Sequence, residues 1–164
     1  MSKKIKKRDK KYQPNKHRLD KNSAFKTIRL SKPIQEDSKQ ELNAHIHAAL
    51  DAISKGFGQP AHFDVLASTV DVVYMMAENL FQNAYADEIE AARQSMFRLK
   101  DRFHKTSKFG FDGAGYNAVK QIVLIHDEMM NQVTGAEMLA FMKARAHALK
   151  NGNYYRSEHE KEAA

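Results

Sequence analysis

All of the chain's net positive charge lies in its first fifth, and this segregation limits which part of the chain can fold. Residues 1–33 carry thirteen lysine and arginine side chains against Asp9 and Asp20, a net charge of +11. The other 131 residues carry 14 basic and 18 acidic side chains, a net charge of −4. Because such a charged segment buries little apolar surface, and because Pro14 and Pro33 interrupt helices, we expect a disordered arm at residues 1–33.

The remaining sequence is long enough for one domain with its own core. We predict a helical domain at residues 34–151 and a frayed tail at residues 152–164. The chain has no cysteine, which excludes disulfides, thiolate zinc sites and cysteine nucleophiles. No apolar run approaches the length of a membrane span, and the basic start lacks the apolar stretch of a signal peptide. We therefore predict a cytoplasmic protein that does not enter membranes.

Apolar residues in the second part of the chain recur at the spacing of helices rather than strands. Leu42, Ile46, Leu50 and Ile53 predict a first helix at about 36–55. Pro60 suits the first turn of a second helix, which we expect to stop or kink at residues 82–85, where Asn83 tolerates a left-handed backbone. The buried positions predicted for the second helix are Phe63, Leu66, Val70, Val73, Ala77 and Leu80, and those for the third are Tyr85, Ile89, Ala92, Met96, Leu99 and Phe103.

Two further helices have recognisable start signals. Asp112 is a candidate N-cap for the fourth helix, and Thr134 with Glu137 matches a capping box at the start of the fifth. The sequence thus predicts an all-α protein, a compact antiparallel bundle of about five helices. For the fourth helix we predict burial of Val119, Ile122, Val123, Ile125 and Met129 or Met130, and for the fifth of Met138, Leu139, Met142, Ala146 and Leu149.

The sequence holds no strong catalytic motif. His126-Asp127 resembles the doublet of metal-dependent phosphohydrolases, but His45, His47, His62 and His104 complete no recognised ligand pattern. The glycine-bearing stretch KFGFDGAGYN lacks the strand and lysine of a phosphate-binding loop, and we interpret it as a connection whose aromatic residues close one end of the bundle. We predict no enzymatic activity, no cofactor and no metal, with a metal-dependent hydrolase as the third hypothesis.

Adjacent methionines form two pairs, Met75-Met76 and Met129-Met130. Thioether side chains fill irregular gaps in cores and also form adaptable binding surfaces. Because neighbouring helical residues point in different directions, we expect one member of each pair to face a protein partner or a second copy of the chain.

The arm is the predicted binding element. Its cations are suited to contact phosphates, with release of counterions and without reading base sequence. The predicted partner is therefore DNA or RNA; the alternative is a protein-interaction module or inhibitor that docks through the helical body. The predicted phosphate-contacting residues are Lys3, Lys4, Lys6, Lys7, Arg8, Lys10, Lys11, Lys16, Arg18 and Lys21.

The order of several segments resembles a loose family of small helical proteins encoded by bacteriophages and prophages. The segments are KKYQPNKH, NAHIHAALDAISKG, YADEIEAARQSMFRL and IVLIHDEMMNQVTGAEMLAFM, which together extend over most of the chain. These are helix-packing patterns rather than functional motifs. The resemblance implies an accessory protein in a bacterial host cell, and it implies no site residues.

Overall fold

A computed structural model describes residues 32–152, and these residues form an all-α fold without a β-strand. The predicted helix boundaries agree with the observed ones to within a few residues. Among the described residues, no helix has the length and apolar character needed to cross a membrane. The five helices are α1 (Glu36–Ser54), α2 (Pro60–Leu80), α3 (Ala86–Thr106), α4 (Gly113–Met129) and α5 (Gly135–Lys150).

The predicted start signals are confirmed by short-range hydrogen bonds. Asp112 is the N-cap of α4, where its Oδ1 accepts a hydrogen bond from the Gly115 backbone N–H. At the start of α5, the Thr134 backbone N–H donates to Glu137 Oε2 (2.8 Å), and the Glu137 backbone N–H donates to Thr134 Oγ1 (3.3 Å). Each bond satisfies a backbone N–H that the helix leaves free, so these residues fix where α4 and α5 begin.

The break between α2 and α3 lies at residues 81–85, as predicted. Gln82, Asn83 and Tyr85 all have positive φ angles, which end one helix and redirect the chain into the next. Leu80 and Tyr85 were predicted to be buried, and this is wrong: both are about two-fifths exposed. The reason is the left-handed turn, which takes the residues beside it out of the helical register.

The core is built around α4, which packs against α1, α2 and α3. Each of the first four helices contributes an apolar face to one continuous buried cluster. Phe63 and Phe103, predicted to be buried, lie partly buried against this cluster. The largest side chains that are almost completely buried are Ile53, Leu66, Met76, Met96, Leu99, Ile122, Ile125 and Met130.

Aromatic residues close one end of the core, as the sequence predicted for the KFGFDGAGYN connection. The rings of Phe103 and Phe109 stack with 4.1 Å between centroids, and Phe63 stacks on Phe109 at 5.6 Å. Gly58 lies directly against this stack, because a Cβ atom at Gly58 would come within 2.7 Å of the Phe109 Cβ. The packing around Gly58 therefore leaves no room for a side-chain carbon atom at that position.

In contrast, α5 lies at the edge of the fold. Among the described helices it packs only against α2, and Phe141 is its one buried residue. The chain immediately before α1 crosses to the start of α5, where Pro33 forms an isolated antiparallel bridge with Thr134 and the Gly135 N–H donates to the Lys32 carbonyl (3.2 Å). Lys32 and Pro33, which the sequence assigned to the arm, are thus attached to the helical body.

Candidate functional site

An apolar cleft of about 300 Å³ lies between α1 and α5. It exists because these two helices do not pack against each other, although both pack against α2. This volume is at the lower end of the range for ligand pockets, ~300–1,000 Å³. The apolar walls come from Leu42 and Ile46 on α1, Val65 and Val72 on α2, and Met138 and Met142 on α5.

The cleft wall also contains a buried imidazole, beside the polar side chains of Asp64, Ser68 and Thr69. His126 of α4 lines the cleft and is only 2 % exposed. Its Nδ1 has no hydrogen-bond partner and lies 3.5 Å from Oδ1 of Asp127, which also lacks a partner. The other oxygen of Asp127, Oδ2, lies 2.9 Å from Nε2 of His47 on α1. The structure therefore joins α1 to α4 through a chain of three titratable side chains beside the cleft.

Burial lowers the pKa of His126 below its ordinary value of 6.5. The adjacent Asp127 carboxylate opposes this effect, and the nearby His47 adds to the lowering. The His126 imidazole is consequently neutral at neutral pH, with one nitrogen that donates and one that accepts hydrogen bonds. The cleft thus combines apolar walls with an uncharged polar group.

The His126-Asp127 doublet does not form a metal centre in the described part of the chain. Of the four other histidines considered, the structure brings His47 to the doublet. His62 instead accepts the Gln59 backbone N–H at the start of α2 through its Nδ1, as part of a capping box. Within residues 32–152, no group of three or more histidine, aspartate and glutamate side chains is placed to hold a metal ion. The hydrolase hypothesis gains no support from this geometry.

The inward face of α5 differs from the predicted one by about one residue position, and of the predicted residues Met138 alone lies on it. Leu139, Met142 and Leu149 are between 37 and 47 % exposed, and Ala146 is also exposed. The inward face is instead Met138, Phe141, Arg145 and Ala148. It includes Arg145 because the guanidinium Nε donates to Asp71 Oδ2 on α2 at 3.0 Å.

An apolar stripe on α5 is left without a partner in the described structure as a result of this rotation. Leu139, Met142, Ala146 and Leu149 recur at spacings of three and four residues, so they share one face of the helix. Met142 belongs both to this stripe and to the cleft wall. The cleft and the stripe are therefore continuous, and together we call them the α1–α5 surface.

The methionine pairs do not supply this surface. Met76, Met129 and Met130 are at most 2 % exposed, and Met75 packs partly buried against the core. The prediction that one member of each pair is exposed is wrong for Met129-Met130, because α4 ends at Met129 and the chain turns there so that both side chains point inward. Among residues 32–152 the exposed methionine is Met142, which was predicted to be buried.

The ten predicted phosphate-contacting residues, from Lys3 to Lys21, lie outside the described residues. Residues 32–152 carry 13 basic and 15 acidic side chains, a net charge of −2. Several of these cations have partners within the fold: Lys55 pairs with Asp51, Arg145 with Asp71, and Arg98 and Arg102 lie within 4 Å of Asp112. The helical body therefore offers far less free positive charge than the segment that precedes it.

Sequence reasoning missed the cleft. Its only local signal is Leu42, an apolar residue one turn before the buried part of α1.

The chain matches no protein-family model, no curated protein and no solved structure.

Proposed function

We propose that this protein binds nucleic acid through its basic N-terminal arm, without reading base sequence, as a non-enzymatic accessory protein. The observation that carries the proposal is the separation of charge: residues 1–33 have a net charge of +11, whereas residues 34–152 have a net charge of −3. Polyanions attract such an arm because each neutralised phosphate releases a condensed counterion.

The helical body supports this division of roles. The bridge between Pro33 and Thr134 fixes the point at which the arm leaves the fold. From that point, an extended arm of this length reaches up to roughly 110 Å. The body anchors one end, and the arm follows the phosphate backbone.

Fluorescence anisotropy with a duplex of mixed sequence tests the proposal. If six to ten arm cations contact phosphates, the logarithm of the binding constant falls with the logarithm of salt concentration with a slope of about −5 to −9. The test variant replaces Lys3, Lys4, Lys6 and Lys7 with glutamine. It should reduce the slope by roughly 3 to 4, because each phosphate contact contributes about 0.9.

A matched control removes the same number of charges from the helical body. Lys105, Lys108, Lys143 and Lys150 are exposed, and their replacement by glutamine changes the net charge by the same amount. The control should retain the slope of the unmodified protein. Equal losses in both variants would show that only net charge matters, and an absence of measurable binding at physiological salt would exclude the proposal.

A further inference from the structure

The α1–α5 surface exposes apolar side chains that no described part of the chain covers. Its cleft is lined by six apolar side chains, and its α5 stripe leaves Leu139, Met142 and Leu149 more than one-third exposed. Soluble proteins rarely leave a continuous apolar surface without an occupant. We infer that the occupant is a segment of the same chain, Phe25–Leu30, at the end of the arm that adjoins the body.

The point of attachment places this segment beside the cleft. The Lys32 carbonyl accepts a hydrogen bond from the Gly135 N–H, in the first turn of α5. Met138 lies one turn further along the same helix and is part of the cleft wall. On the other side, Lys39 near the start of α1 donates to Oδ1 of Asn131 at 3.2 Å, so α1 and α5 leave from the same end of the cleft.

The direction of the chain also favours this occupant. Pro33 pairs with Thr134 in antiparallel fashion, and Lys32 lies beside Gly135, so the described chain begins at the first turn of α5. In the proposed arrangement the arm continues from Lys32 along α5, past Met138 and Met142. Met142 is about 10 Å along α5 from Gly135, at 1.5 Å per residue. The seven residue-to-residue steps from Lys32 to Phe25 reach up to about 23 Å, which is sufficient.

The composition of the segment matches the surface. Phe25, Ile28 and Leu30 are three large apolar residues within six positions. The preceding 24 residues contain four other large apolar residues, Met1, Ile5, Tyr12 and Leu19, far apart among charged residues. Among the described residues that line the cleft, Asp64 alone is charged; it is exposed and complements the positive charges of Lys26 and Arg29. In this arrangement the arm consists of a docked segment, Phe25–Leu30, and a more highly charged segment that precedes it.

Disulfide trapping in the full-length protein tests the inference, and the absence of natural cysteines makes the experiment clean. Phe25, Ile28 or Leu30 is replaced by cysteine, each in combination with Met142→Cys. The control pairs combine Ile5→Cys or Leu19→Cys with Met142→Cys. In dilute protein under mild oxidation, at least one of the three test pairs should form an intramolecular disulfide tenfold or more faster than the controls.

Equal rates in test and control pairs would overturn the inference, and so would disulfides that form only between chains, because the occupant would then be a second copy. A measurement without cysteines provides a second test. In full-length protein, replacing Phe25, Ile28 and Leu30 with serine should raise the fluorescence of the apolar dye ANS severalfold, whereas replacing Ile5 and Leu19 should not. An unchanged signal would also overturn it. Neither test involves nucleic acid, so its result is independent of the arm's binding function.

Discussion

Helices α4 and α5 are almost equal in length, yet they occupy very different environments. Seven of the 17 residues of α4 are buried, because α4 is surrounded by three other helices. One of the 16 residues of α5 is buried, because α5 has α2 as its only described helical neighbour. The comparison shows that apolar residues at helical spacing fix the type of element, whereas the number of neighbouring helices decides how much each element stabilises the fold.

The same comparison separates the most stable part of the fold from a less stable edge. Regions with few buried contacts unfold locally at a lower free energy than the core. Binding elements of proteins commonly lie in such regions. In this fold the α1–α5 surface is such a region, whereas the core around α4 serves as its scaffold. Four measurements can test whether the core and the α1–α5 surface differ in stability in this way.

The largest effect should come from truncation in α4. Ile122 is fully buried, so Ile122→Ala should lower the free energy of unfolding by about 2–5 kcal/mol. Leu149→Ala in α5 is the comparison, and it should change the free energy by less than about 0.5 kcal/mol because Leu149 is exposed. Urea denaturation measures both. Similar losses in the two variants would show that α5 contributes as much as α4 to the stability of the fold.

A smaller effect is expected from overpacking at the aromatic end of the core. In Gly58→Ala the new Cβ would lie 2.7 Å from the Phe109 Cβ and 2.9 Å from the Ile53 Cγ1, so we expect a loss of about 1–3 kcal/mol. Gly110→Ala is the control, because a Cβ there meets no atom within 4 Å. The stability of both variants is measured by thermal unfolding. If Gly58→Ala were as stable as the control, the tight packing around Gly58 would be disproved.

His126 lies where the core meets the cleft, and it should make stability depend on pH. Its pKa is lower in the folded protein than in the unfolded chain, so below about pH 6.5 the unfolded chain binds the proton first. The contribution of His126 to the free energy of unfolding should therefore be constant above this pH. It should fall as the pH decreases, by up to about 1.4 kcal/mol per pH unit. His126→Gln should remove this component. His45→Gln, at an exposed position of α1, should retain it; chemical denaturation between pH 7.5 and 5 distinguishes the two.

The smallest effect should be confined to α5. Thr134→Ala removes the hydroxyl that accepts the Glu137 N–H, and loss of an N-cap costs about 1 kcal/mol. Hydrogen exchange should show faster opening of α5 and unchanged protection of α4. Thr106→Ala, near the end of α3, is a control that leaves this cap intact. Equal acceleration in α4 and α5 would mean that the two helices open as one unit.

Much of the fold was predictable because its signals are local. Pro60, Asp112 and Thr134 mark helix starts through interactions within three or four residues, and the structure confirms all three. The buried positions of α4 were also predictable, since nearly every apolar residue of a surrounded helix faces a neighbour. The α5 face was not, because the pattern there offered two adjacent faces and the more apolar one is exposed.

The sequence by itself determined the helical class, the helix starts and the separation of charge between arm and body, since these depend on composition and short-range hydrogen bonds. Tertiary structure alone decided which way α5 faces, through the contact of Arg145 with Asp71, 74 residues away. It also brought His47 to Asp127, 80 residues away, and opened the cleft between α1 and α5. Such contacts depend on how whole helices pack against one another, and no local pattern encodes that arrangement.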